Sequence, residues 1–584
     1  MNMKNILKYI ALTAAVIALA SSCEKFLTRP SEDGYNSSNF YQDANQCIQG
    51  VNYLYSSPWY DVIRGFYRVG ECFSGNYYMG SSPYLQLTVN GSDEELKQMC
   101  ASLWSVNAHA TTVYKRIAQA DVDQDVKNMC MGEALVWKAF AYFFLVRSFG
   151  EVPIVHDMNE MIAAGNYNEV YKAPKEDVYD YIVILLKKAM ELLPKKVGNT
   201  DGRIDYYSAE ALLAKVYLQK AGVTGTLAQA DLDEAARYAK DVIEKSGREL
   251  LENYSDIFRL QNNKNKECLI SWHWDASADP WTAQNSFQSD LAPNGFDEFG
   301  DNWGQWNGPS VALQEQFGVT AIEDPSSRSD TDARRKATYM LAGDVYDYFW
   351  TSWTGGFDYL RFFYDDNYGP SGTTNASDKS MNSPTGAGCV KFLYGDGNDH
   401  MAALGVSAGR MAYGLSTHIL RLADVYLIYV ESKLHGPGST TTDELALKCF
   451  NDVRERAALG AYTPVDEVSF EELFKERNLE LALEGDRWYD YVRVGYYNPD
   501  FAVEDLLKQH RNAYQGSLND VFKKYYEDKV WNVSDISYNS GEFTLTRAAV
   551  LSKLTSLPFP AEDVVYNPNL EKPAQPYDLS TITF

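Results

Sequence analysis

The sequence predicts a mostly α-helical protein, a helical-repeat scaffold carrying a loop-rich insertion with little regular structure. Three observations lead there. Apolar residues recur at three- and four-residue spacing toward both ends of the chain, as in Leu135, Ala139, Tyr142, Phe143 and Val146. One short apolar pattern occurs twice inside such helices, far apart in the chain. Between the copies, residues 251–412 are rich in Gly, Asn, Asp, Ser and Trp and hold no sustained period.

The chain opens on an address. Lys4 and Lys8 precede an apolar run from Tyr9 to Ala20, too short to span a bilayer, so residues 1–22 read as a signal peptide. Leu19-Ala20-Ser21-Ser22-Cys23 resembles a bacterial lipobox, in which Cys23 is acylated and holds the mature chain on a membrane surface. Ordinary cleavage, leaving Cys23 a free thiol, is the less favoured alternative. Residues 23–40, polar and broken by Pro30 and Gly34, form the lipid anchor and tether.

Residues 41–250 form an N-terminal helical part. Periodicity places helices over 104–121, 131–149 and 176–193, with Gly150, Pro153 and Pro194 as stops. Leu213-Ala214-Lys215-Val216-Tyr217-Leu218 then recurs as Leu422-Ala423-Asp424-Val425-Tyr426-Leu427. Each copy leads through a loop to a second helix, 231–245 or 443–458, with Ala235, Ala236, Ala239 and Ala446 facing the first. Small residues let paired helices approach closely, and such helix–turn–helix units resemble degenerate tetratricopeptide repeats, which must stack to bury their apolar faces. Residues 251–412 are the loop-rich part, 413–495 hold the C-terminal repeat-like units, and 496–584 form a mixed segment that packs on the body.

Composition excludes several classes. Asp and Glu number 79 against 53 Lys and Arg, a formal charge of −26 that argues against nucleic acid and, more weakly, against polyanionic ligands. No run of eighteen apolar residues marks a transmembrane helix. Beyond Cys23 the cysteines are widely spaced with no Cys-x-x-Cys, so zinc and dithiol readings fail. No His-Glu-x-x-His, Walker A or Gly-x-Gly-x-x-Gly pattern is present. Asp-rich loops at 365–367 and 396–399 could hold calcium, but the twelve-residue loop spacing is missing, and no cofactor is expected. Gly405-Val406-Ser407-Ala408-Gly409 matches a nucleophile elbow without the preceding strand that the elbow requires. Arg477, Glu480, Glu484 and Arg487 lie at helical spacing, and an exposed ion ladder is the favoured reading over paired catalytic carboxylates.

A resemblance rests on residues 419–495. Arg421-Leu422-Ala423-Asp424-Val425-Tyr426-Leu427 leads to Glu431, then Asn451-Asp452-Val453-Arg454-Glu455-Arg456-Ala457, then Glu476-Arg477-Asn478-Leu479-Glu480 through Gly485-Asp486-Arg487-Trp488 to Asp490 and Arg493. Arg147-Ser148-Phe149-Gly150-Glu151-Val152-Pro153, and Leu557-Pro558-Phe559-Pro560 with Asn567-Pro568, extend it over most of the chain. In this order the segments resemble the SusD/RagB family of outer-membrane nutrient-binding lipoproteins. The resemblance implies a helical protein built on four tetratricopeptide-like units and a lipid-anchored position on the bacterial outer membrane, facing the exterior. It also implies a non-catalytic role: capture of a glycan and its delivery to a SusC-like TonB-dependent transporter barrel. A repeat adaptor for protein or peptide, and a surface glycoside hydrolase, are the alternatives.

Aromatic residues make up 14% of the chain. Indole and phenol rings stack on the apolar C–H faces of sugars, while neighbouring polar side chains read hydroxyls. Loop-borne clusters fit that use: Tyr77, Tyr78 and Tyr84; Trp272, Trp274 and Trp281; Asn302, Trp303 and Trp306; and Trp350, Trp353 and Tyr359. Trp303 and Trp306, set among Gly and Asn, are the leading candidates. Trp137, Trp488, Tyr217 and Tyr426 ride periodic helices and are assigned to the scaffold.

Overall fold

The computed structural model describes residues 40–166, 168–276, 285–369 and 381–584. The expected signal peptide, Cys23, nearly all of the tether and Trp281 lie outside these residues.

Helix α1 (Ala44–Asn52) starts where the Asp43 carboxylate accepts a hydrogen bond from the Gln46 amide at 2.9 Å. Asp93 and Asp123 cap α2 (Glu94–Gln119) and α3 (Gln124–Phe149), and Gly150 ends α3 at φ 71°. Both helices begin before the expected 104 and 131, and the added turns carry apolar residues at helical spacing: Leu96, Met99, Cys100 and Leu103 in α2, and Val126, Met129 and Cys130 in α3. By length and composition α3 could cross a membrane, yet 94% of that window is buried inside the protein, so it is a core helix. Helices α4 (Lys175–Leu192), α5 (Tyr206–Lys220) and α6 (Gln229–Lys245) follow, and each helix from α2 to α6 packs on the next. Ala235 and Ala239 are fully buried on α6, as the close crossing with α5 requires.

The insertion is tied at its base. Strand β1 (Cys268–Trp272) pairs antiparallel with β2 (Thr417–Arg421), Trp272 opposite Thr417 and Cys268 opposite Arg421. Between them the described residues form short helices, including α7 (Gly397–Leu404), two-residue strands and loops. Helix α8 (Leu422–Ser432) leaves β2 directly and packs on α5, α6, α9 (Glu444–Ala457) and α10 (Phe470–Leu481), with α11 (Arg487–Tyr497) beyond. The two copies of the repeated pattern therefore touch. Lys215 on α5 and Asp424 on α8, equivalent positions in the two copies, form a buried ion pair at 2.6 Å.

The expected exposed ladder is corrected. Arg477, Glu480, Glu484 and Arg487 are all buried, and α10 ends at Leu481, before Glu484. Their partners come from other segments. Glu480 takes Arg421 at 2.5 Å and Arg334 at 3.0 Å, with Arg456 also in contact. Glu484 takes Arg421 at 2.8 Å and Lys391 at 2.9 Å. Burial opposes the charge on Glu480, but the surrounding guanidiniums hold its carboxyl well below the usual range. Arg334 and Lys391 belong to the insertion, so this cluster pins the insertion to the C-terminal helices. One turn earlier on α10, Arg477 meets Asp490 at 3.0 Å and Asp424 at 2.9 Å, and Arg493 meets Asp490 at 2.7 Å. A ladder could be inferred from spacing alone; burial could not, because it is set by elements distant in sequence.

Candidate functional site

Trp303 and Trp306 stand on a loop that leaves the short helix Phe287–Leu291 and returns at Gly308–Pro309. Backbone bonds fix it: the Trp303 amide donates to Ser289 O at 2.7 Å and the Gly304 amide to Ala292 O at 2.9 Å. Gly304 is required here, since a Cβ would stand 2.2 Å from the Leu291 carbonyl carbon. Gly304–Trp306 form a 3-10 turn, with Trp303 immediately before it. The two indoles are 43% and 58% exposed, large values for Trp.

The loop is braced from beneath. Asn302, proposed from sequence as a ligand contact, is buried; its amide donates to Asp297 Oδ2 at 3.2 Å and its carbonyl accepts from the Asp297 amide at 3.4 Å. Gln288 donates to Asp297 Oδ2 at 2.9 Å and to Gly395 O at 3.0 Å, and its own carbonyl accepts from the Tyr394 amide at 2.8 Å. It thereby couples the aromatic loop to the chain entering α7. Gln288 was missed by sequence reasoning, since no local pattern marks a residue whose partners lie this far along the chain. Asp301 pairs with Arg410 at 3.0 Å on the exposed side.

Beside the loop lies a cleft of about 560 Å3 lined by Glu298, Trp353, Asp396, Asn398, Met401 and Ser407. Trp353 is half-buried, its ring against Tyr368. Among the described residues no Lys, Arg or His lines the cleft. Burial, with the Asp399 and Glu298 carboxylates nearby, pushes Asp396 up to about 6. The Asp-rich segment at 396–399 is a helix cap: Asp396 accepts from the Asp399 amide at 2.9 Å, and Asp399 accepts from the Asp396 amide at 3.1 Å. Among the described residues no His, Cys, Asp and Glu group is arranged to hold a metal ion. Ser407 follows α7 rather than a strand, and both nitrogens of the nearby His400 are engaged, with Val406 O and the Gly414 amide, so the elbow geometry is absent.

The remaining sequence candidates are core. Tyr77 is buried in a strand pairing with Pro309, its ring 5.8 Å from Tyr67. Tyr78 is buried and donates to Glu542 at 2.5 Å. Tyr84 is buried against Phe73 and donates to Asp93, the α2 cap, at 2.6 Å. Trp350 is enclosed by Phe296, Phe357 and Phe362 and donates to Phe296 O at 3.1 Å. Trp272, Trp274 and Tyr359 are likewise buried. Trp274, though buried, also lines a surface depression together with Tyr53 and His273. Tyr77 and Tyr78 still serve the aromatic loop, because their strand holds its return at Gly308 and Pro309.

The family model described as the SusD family matches residues 257–577, more than half the chain. The chain belongs to the SusD family. A second model, described as starch-binding associating with outer membrane, matches residues 85–218 of this SusD-family protein. A SusD-like protein of Bacteroides ovatus is 30% identical over 600 residues, covering 98% of each chain. SusD-like protein P25 of Formosa agariphila is 24% identical over 534 residues, covering 85% of this chain and 90% of its own. A crystal structure with xylogluco-oligosaccharide superposes with a TM-score of 0.73 at 25% identity, covering 91% of this chain and 99% of that one. The mostly helical fold is that of the SusD-like proteins.

Proposed function

We propose that this SusD-family protein is a non-catalytic lipoprotein, anchored through Cys23 to the outer membrane and facing the exterior, that captures a neutral glycan for a TonB-dependent transporter. The observation that carries the reading is the rigid loop presenting Trp303 and Trp306 to solvent. Sugar rings stack on such faces by dispersion and apolar burial, and a loop already fixed by backbone bonds loses little entropy on binding. Half-buried Trp353 adds an apolar wall beside Asn398 and Ser407, which offer donors and acceptors for hydroxyls. Glu298 and Asp396, with no basic side chain among the described residues lining the cleft, disfavour uronate- or sulfate-bearing chains. Family membership and the relative's structure with xylogluco-oligosaccharide support glycan as the ligand class.

The test is affinity electrophoresis against neutral and acidic polysaccharides, with wild type beside Trp303→Ala plus Trp306→Ala. Wild type should be retarded by at least one neutral polysaccharide, and the double variant should lose about tenfold or more in affinity while keeping its circular dichroism. Folded wild type retained by no polysaccharide, or only by acidic ones, would sink the reading.

A further inference from the structure

A larger depression, about 970 Å3, adjoins the cleft at Ser407, which lines both hollows. Its walls come from distant parts of the chain: Asn52 and Tyr53 at the end of α1, Arg203 before α5, and Lys264 and Asp275 of the insertion. Both volumes lie within the range of small-molecule sites, about 300–1,000 Å3.

The floor of this groove is built in advance. Arg203 is locked on Glu133 by two bonds, at 2.9 and 2.6 Å, and donates to Asn52 at 2.7 Å. His273 is held between Ser416 Oγ and Gly202 O, both at 2.8 Å, with Tyr55 stacked on it at 5.7 Å. Side chains so fixed have little freedom left to lose when a ligand arrives. At the rim, Tyr53 is 41% exposed and set edge-on to His109 at 4.9 Å, an aromatic ring held in place beside solvent. Arg203, Lys264, Asp201 and Asp275 line the groove, Glu133 pairs with Arg203 and Lys196 with Asp201, so the groove offers many hydrogen-bonding groups and little net charge. That chemistry suits a hydroxyl-rich, uncharged chain. The hollows are close: a Cβ on Gly409, next to the Asp301-paired Arg410, would lie 3.1 Å from Ala276 O, and Ala276 lines the groove.

We propose that the two hollows are successive parts of one binding track. A neutral polysaccharide would lie over Trp303 and Trp306, cross at Ser407 and continue past Tyr53, so that an interior stretch of chain is bound. This rests on the glycan-capture reading above. The test uses a length ladder made by partial hydrolysis of the neutral polysaccharide that retards wild type, titrated calorimetrically into wild type, Tyr53→Ala, and Trp303→Ala plus Trp306→Ala. Tyr53 is at the surface, so its variant should fold. Affinity of wild type should keep rising with length. Tyr53→Ala should lose about tenfold for the longest fragments and nothing for the shortest that binds, whereas the double Trp variant should lose affinity at every length. If Tyr53→Ala matches wild type at all lengths, or weakens short and long fragments alike, the track is refuted while glycan capture stands. If no neutral polysaccharide is retained, both fall.

Discussion

Trp306 and Trp350 are both indoles in stretches dense with Gly, Asn and Thr, and they do opposite work. Trp306 keeps over half its surface in water, whereas Trp350 is fully enclosed by Phe296, Phe357 and Phe362. Trp350→Ala should lower unfolding stability by about 3–5 kcal/mol in urea titration, the cost of lost burial plus a residual cavity. Trp306→Ala should leave the urea midpoint nearly unchanged. Trp303 and Trp306 were legible because their neighbours, Gly304, Asn302 and Asn307, leave no local apolar stripe to bury them. Trp350 was not, since the rings that cover it come from Phe296 on one side and Phe357 and Phe362 on the other. Asn302 was found by its setting and misread in its role: its amide faces inward to Asp297 and shapes the loop.

At the scale of elements, the helices were the legible part. Period and stop residues placed α4 and α6 closely, while β1 was hidden, because the short, fully buried run Cys268-Leu269-Ile270-Ser271-Trp272 has no period that distinguishes strand from buried turn. The ionic joints between elements were less legible still, and they carry a pH signature. Burial alone would raise Asp490, but Arg477, Arg493 and Arg487 outweigh it and hold its carboxyl at about 2. A carboxyl lower in the folded than in the unfolded chain contributes stability that is fully present above about pH 4 and is lost as pH falls through the folded value. Thermal unfolding followed from pH 4 to pH 2 should therefore show a steady decline. A shallower decline is expected for Asp490→Asn, on a baseline already lowered by its broken contacts.

For the whole molecule, the decisive contact is the one between the halves. Lys215 reaches Asp486 at 2.6 Å as well as Asp424, and Asp424 also holds Arg477 at 2.9 Å. Lys215→Met should cost about 3–5 kcal/mol, because it strips a cation from buried Asp424 and half-buried Asp486. Exchanging the pair, Lys215→Asp with Asp424→Lys, should not restore stability in a urea titration. The new lysine would face Arg477, and the new aspartate would face Asp486. A restored midpoint would mean that the two residues act as an isolated pair.

That joint bears on how a chain with two copies of one motif can close on itself. Had the copies stayed alike at this position, lysine would meet lysine or aspartate would meet aspartate in the interior where α5 crosses α8. The scaffold is thus self-complementary only because its halves differ. A replica of either half grafted into the other's place would carry its own repulsion with it, so the repeats cannot be shuffled or tandemly extended as modules.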